Sequence, residues 1–171
     1  IKAAKLGDAA ILKELIKILH ENKIKVIKSN FFNPELTLSK GNYTRLKVNR
    51  LNLENIKIGL NDLNKMNSYN HVQGLVVRNK KIIIRETEKG TKKMLFLVKK
   101  QKKHSGILIK FPKKRQDKRV DLPTIGLETL KDCSKAGING IVLKSNQNIF
   151  LDKKKSIKYA NKKKIFIKII W

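Results

Sequence analysis

Two hydrophobic periods interleave along this chain. Ile11, Leu12, Leu15, Ile16 and Leu19 recur at the spacing of one helix face, with Asp8 placed to cap it. Leu53, Ile56, Leu60 and Leu63 repeat that spacing in a second helix. Further helices are predicted in "KKMLFLVKKQKK", in "LETLKDCSKAG" with Gly137 as its stop, and in "DKKKSIKYANKK". Between them, short apolar runs predict strands near residues 24–28, 72–77, 81–86, 106–110, 140–144 and 165–169, with "NIFL" as a further short one. The runs in "VQGLVVRNKKIIIRE" form a hairpin pivoting on Arg78-Asn79-Lys80-Lys81. "FFNPELTLSKGNYTRLKVNR" has no period and reads as a long loop that closes on something. The alternation predicts an α/β fold: a mixed sheet flanked by helices, in one domain over 1–171.

Composition narrows the class. Hydrophobic residues make up 40% of the chain, enough to fill a core. The one cysteine, Cys133, excludes a disulfide framework and a cysteine-built metal site, and it suits a reducing compartment. Placed on an amphipathic helix, it reads as core filler. No apolar run approaches the roughly 20 residues that span a bilayer. The chain begins at Ile1, which suggests a fragment of a longer protein. The net charge of +28 raises nucleic acid as a partner. Yet only six of the 41 basic residues are arginine, and aromatics are 6%. Readers of nucleic acid lean on arginine forks and stacking rings, so a compositional bias toward Lys, Asn and Ile explains the charge better. A cationic surface also suits proximity to anionic lipid.

"RQDKRVDLPTIG", residues 115–126, places two of the 13 acidic residues four apart in lysine-rich sequence. If extended, it puts Asp117, Arg119 and Asp121 on one face. Pro123 disfavours a helix there, and "PTIG" leads into a helix whose free N–H groups can receive an anion. The bland reading is an exposed ion pair worth at most about 1 kcal/mol. The functional reading uses the carboxylates to hold Mg²⁺ or orient water and Arg119 to clamp phosphate.

The longer run "KFPKKRQDKRVDLPTIGLETLKDCSKAGINGIVL" resembles the signature of the LpxI-type UDP-2,3-diacylglucosamine pyrophosphatases. Lys110, Lys113, Gln116, Asp117, Arg119, Asp121, Leu122, Pro123 and Gly126 match that family's pattern. Weaker echoes are "GDAAIL", Gln73, Glu86 and Gly90-Thr91. The resemblance covers the family's C-terminal half, so its N-terminal Rossmann-like half is absent here. It implies a two-domain cytoplasmic enzyme, peripheral at the inner membrane. The implied reaction splits UDP-2,3-diacylglucosamine into UMP and 2,3-diacylglucosamine 1-phosphate with Mg²⁺, a step of lipid A synthesis. It also implies that Asp117 or Asp121 is catalytic and ligates the metal, Asp117 being the first choice. Lys110, Lys113, Gln116, Arg119, Thr124, Gln73, Glu86 and Thr91 would then contact substrate.

This chain departs from the family where Glu-Gly-Thr-Asp becomes Lys89, Gly90, Thr91 and Lys92, and where Lys114 replaces a proline. Two acids replaced by bases bear against metal binding at that corner and leave lysine as a direct phosphate ligand. His20, near a helix end, is expected to cap carbonyls; His71 and His104 read as surface or strand-edge residues. Met94, Leu95 and Leu97 are expected in the core rather than on an acyl chain. Besides the enzyme, two alternatives stand: a nucleic-acid-binding domain, whose binding would persist at physiological salt, and a non-catalytic module for homodimerisation or lipid binding, which would show no turnover.

Overall fold

A computed structural model of the chain describes residues 8–66, 72–101, 105–113 and 116–171. His71, His104, Lys114 and the side chain of Asp8 lie outside the described residues. The described chain is α/β, with a six-stranded mixed sheet between helices. The helices are α1 (Asp8–Glu21), α2 (Arg50–Lys65), α3 (Gly90–Leu97), α4 (Leu127–Lys135) and α5 (Lys153–Lys162). The strands are β1 (Gly41–Asn42), β2 (Gly74–Arg78), β3 (Lys81–Arg85), β4 (Ile107–Lys110), β5 (Thr124–Ile125), β6 (Gly140–Lys144), β7 (Ile149–Phe150) and β8 (Phe166–Ile170). The main sheet runs β1-β8-β6-β4-β2-β3, and β5 pairs with β7 in a small second sheet.

Strands β4, β6 and β8 are parallel, while β1, β2 and β3 pair antiparallel with their neighbours. The central strands are apolar on both faces because helices cover both. Leu75, Val77, Ile107, Ile109, Val142 and Phe166 pack toward α2 with Ile56. Val76, Leu108, Ile141, Leu143, Ile167 and Ile169 join Met94, Leu95, Leu130, Cys133 and Ala160 on the other face. The period-two alternation of one strand thus feeds two cores. Cys133 is buried there, as expected, and burial pushes its thiol pKa up.

The hairpin forms where expected. Asn79 and Lys80 both take positive φ, 50° and 63°, which matches the right-handed twist of paired strands. The amide of Lys80 donates to Asn55 Oδ1 at 2.8 Å, so α2 grips the turn. Arg78 does more than flank it. Buried beneath the sheet, its guanidinium donates to the carbonyls of Lys99 (2.9 Å), Ser105 (3.0 Å) and Ala136 (3.2 Å). It thereby ties the ends of α3 and α4 to β2, where helix carbonyls lack partners of their own.

Several expectations are corrected. Residues 24–28 form no strand: Lys23 turns at φ 60°, Ile24 N donates back to Leu19 O at 2.9 Å, and Ile24 and Ile27 stay exposed. The sheet edge beside β8 is taken instead by β1, from the stretch read as a plain loop. That stretch also holds a short 3-10 turn at Pro34–Leu36 and buries Thr37, Leu38 and Thr44. The side chain that reaches a carbonyl at the end of α1 is Asn22, on Ile18 O at 2.8 Å, while His20 is exposed. Met94 and Leu95 are core residues, but Leu97 is half exposed because α3 ends with it.

Gly140 measures how tightly the layers close. A Cβ there would lie 2.1 Å from the buried ring of Phe166, whereas one at Gly41 would meet only Tyr43 at 3.6 Å. Gly140→Ala should therefore lower stability by about 1–3 kcal/mol. Gly41→Ala should stay within about 0.5 kcal/mol of the parent in urea unfolding.

Candidate active site

The parallel strands β4, β6 and β8 end together at Lys110, Lys144 and Ile170. The start of β2 joins them, since Gly74 pairs with Lys110, and so does the residue after β3, since Glu86 N donates to Gly74 O at 2.8 Å. In open α/β sheets this carboxyl edge is where ligands bind.

A buried polar cluster marks the edge. Lys110 Nζ donates to Glu86 Oε1 at 3.1 Å and is hydrogen-bonded to Thr91 Oγ1. The Thr91 hydroxyl itself lies 2.6 Å from Glu86 Oε1 as donor. Lys110 and Glu86 are 6% and 5% exposed, so neither charge is screened by water and each needs the other. Glu86 Oε2 has no partner and points at Gly74, where a Cβ would come within 3.1 Å of it. The absent side chain leaves that oxygen its space.

A second pair lies alongside. Gln73 Nε2 donates to Gln116 Oε1 at 3.0 Å, and Lys113 N donates to the same oxygen at 2.9 Å. Gln116 Nε2 is buried and unpartnered. Asn148, singled out by no sequence signal, ties the ends of β4 and β6: its amide donates to Lys110 O at 3.0 Å and its oxygen accepts from Lys144 N at 3.0 Å. From the sequence, Asn148 is only the first residue of the predicted short strand "NIFL". Lys144 is half-buried, and burial, then the neighbouring Lys118, holds its ammonium pKa below the usual value.

The signature stretch is a turn and not extended. Val120 N and Asp121 N both donate to Asp117 O, at 3.2 and 2.9 Å. Asp117 Oδ1 accepts from Arg119 N at 3.0 Å, the local bond that lets aspartate shape a turn. Arg119 then folds back, donating from Nε at 3.0 Å to Oδ1 and from Nη2 at 2.7 Å to Oδ2. These side-chain bonds hold the Asp117 carboxyl below the ordinary carboxylate range. The single-face arrangement of Asp117, Arg119 and Asp121 is therefore replaced by a closed ion pair, with Asp121 half-buried at the turn's end. Ser29 N, from the segment after α1, donates to Arg119 O at 2.8 Å and packs the turn from outside. Thr124 is exposed, with its hydroxyl on Leu122 O. The first turn of α4 has no side-chain cap and already carries Glu128, which competes with any incoming anion.

Of the expected residues, the structure joins Glu86 with Thr91 and Lys110, Gln73 with Gln116, and Asp117 with Arg119. Lys89 and Lys92 instead line a groove on the outer side of α3. From the sequence, a catalytic 112–124 segment is expected to border the largest cleft, with Gln73, Glu86 and Thr91 nearby. Two grooves of about 710 and 730 Å³ lie elsewhere, along α5 and between α3 and α4. Among the described residues no three His, Cys, Asp or Glu side chains converge on one point. The edge thus offers no closed metal cage. It does offer what Mg²⁺ usually takes from protein, one or two carboxylates with the rest of the shell from phosphate and water. Asp117 and Asp121 are the two carboxylates of this turn, and Asp117 is closed on Arg119.

These features define an α/β domain with a partly unsatisfied polar site at the carboxyl ends of its parallel strands. The chain belongs to the LpxI C-terminal domain family, which it matches over residues 39–168. It is similar to the UDP-2,3-diacylglucosamine pyrophosphatase LpxI of Caulobacter vibrioides, 27% identical over 175 residues that cover 98% of this chain and 62% of that protein. The chain therefore spans about three fifths of that relative's length.

Removing one side of the buried pair should be far worse than removing both. Lys110→Met strands Glu86 and should cost about 3–5 kcal/mol in denaturant unfolding. Lys110→Met combined with Glu86→Leu should recover most of that loss.

Proposed function

We propose that this chain is the part of a UDP-2,3-diacylglucosamine pyrophosphatase that handles the pyrophosphate. The observation that carries the reading is the position of the signature turn, at the carboxyl edge and joined to it through Gln116 and Lys113. Water adds to one phosphorus while the bridging oxygen leaves with the other, giving UMP and 2,3-diacylglucosamine 1-phosphate. The substrate is a lipid, which brings the reaction to the inner face of the inner membrane.

The residues divide the work by their surroundings. Asp117, held below the ordinary carboxylate range while Arg119 pairs with it, is already ionised when substrate arrives. It suits orienting water or holding Mg²⁺ better than abstracting a proton. Asp121 stands as its neighbour at the end of the same turn. Mg²⁺, when bound by these carboxylates and the substrate, supplies positive charge for the phosphoryl oxygens. Arg119 is 44% exposed in its side chain, so it can swing from Asp117 to an arriving phosphate, where its fork fits two oxygens. That exchange frees the Asp117 carboxylate as substrate binds. Lys110, already committed to Glu86 and Thr91, holds the edge in shape, and Lys113 and Lys144 add positive potential around it.

The test uses the longest natural chain that contains these residues. With Mg²⁺ it should release UMP from UDP-2,3-diacylglucosamine. Asp117→Ala or Asp121→Ala should lower kcat by about 100-fold or more with KM little changed, since a group that positions water or metal acts mainly in the transition state. Arg119→Ala should raise KM as well as lower kcat. Wild-type rates in both aspartate variants would reduce the pair to surface charge.

A further inference from the structure

The short helix α3 faces two ways. In its first turn Thr91 reaches inward to Glu86 and Lys110. In its last turn Phe96 and Leu97 point outward, 79% and 55% exposed. Among the described residues Phe96 is left largely uncovered and Leu97 about half covered. Next to them lies the groove of about 730 Å³ between α3 and α4, floored by Leu95, Val98 and Ala136. Its rim carries Lys89, Lys92, Lys93 and Lys135 against Asp132, with Glu128 close enough to act on Lys92 and Lys135. Lys93 Nζ sits 5.2 Å from the Phe96 ring centroid, which keeps a cation at the apolar tip. Lys99 and Lys100 follow immediately and are exposed.

We infer that this face, the last turn of α3 with its lysine rim, docks the protein on an anionic lipid bilayer. An apolar tip ringed by lysines enters the boundary between headgroups and acyl chains, while the ammonium groups meet lipid phosphates. A second copy of the chain fits poorly, because apposing two such faces sets four lysines against four with only Asp132 and the neighbouring Glu128 to offset them on each side. Nucleic acid fits less well too, since no arginine lines the groove and leucine adds nothing to base stacking. Phe96 lies five residues beyond Thr91, roughly 8 Å along the helix axis. Docking there sets the Thr91–Lys110 edge close to the surface from which a lipid substrate comes. That last consequence rests on the hydrolase reading; the docking itself does not.

The experiment is flotation of the longest natural chain with vesicles of phosphatidylcholine alone or mixed with phosphatidylglycerol. Binding is expected only to the mixed vesicles. Phe96→Glu combined with Leu97→Glu should weaken it by about tenfold or more, with circular dichroism unchanged because both positions are exposed. Phe31→Glu combined with Phe32→Glu, at another exposed apolar site, should leave binding intact. The inference is overturned if no vesicle is bound, if the Phe96–Leu97 variant binds like the parent, or if the Phe31–Phe32 variant alone loses binding. A Phe96-dependent dimer, or Phe96-dependent binding of single-stranded nucleic acid, in place of vesicle binding overturns it as well. Turnover on detergent-dispersed substrate is read separately. Vesicle binding without turnover sinks the hydrolase reading alone, and turnover without vesicle binding sinks the docking face alone.

Discussion

Lys110 cannot leave its place without stranding a carboxylate in an apolar interior. Its ammonium joins three pieces of chain: β4, on which it stands, the exit of β3 at Glu86, and the start of α3 at Thr91. Desolvating both charges costs several kcal/mol each, which is returned only while the geometry holds. Such a contact is a costly way to gain stability. It is an effective way to fix where three segments meet. The backbone of the same residue is held by Asn148, so both ends of Lys110 are constrained at the carboxyl edge.

The edge so fixed positions the residues of the proposed site. Gly74 lies next to Lys110 in the sheet, and Gln73 before it reaches Gln116. Gln116 receives Lys113 N and opens the turn that closes with Arg119 on Asp117. From there Leu122 and Pro123 pass into β5, and α4 carries the chain to β6. Rigid parts surround two unsatisfied polar atoms, Glu86 Oε2 and Gln116 Nε2. Buried polar groups are nearly always paired, so these two atoms support the proposal that this edge binds a ligand, although Asn139 Oδ1 and Gln147 Oε1 are unpaired as well.

Much of the fold was legible because the central strands have no choice. "GILIK", "GIVLK" and "IFIKII" are apolar on both faces, and a segment like that is stable only inside a covered sheet. The hairpin and the stop of α4 at Gly137, whose φ is 70°, were legible from turn chemistry. Ile24 to Lys28 misled because strand propensity does not create a partner; the edge beside β8 went to Gly41 and Asn42 instead. The site was half legible. The signature run marked the residues of the proposed site, but alternation could not foresee that Arg119 would fold back and bend Asp117 into a turn. The roles of Asn148, Asn55 and Arg78 depend on backbone groups brought from as far as 38, 25 and 58 residues away, and no local pattern encodes them.

The central claim is that the carboxyl edge of β4, held by Lys110 and Glu86, receives a pyrophosphate. Amide chemical-shift mapping with magnesium pyrophosphate as the probe tests it without any turnover. The account predicts that the largest shifts fall on Gln73, Glu86, Thr91 and residues 110–121, with Arg119 Nε changing as it leaves Asp117. Shifts confined to the lysines of α5 and Arg45, with the Arg119–Asp117 turn undisturbed, would contradict it.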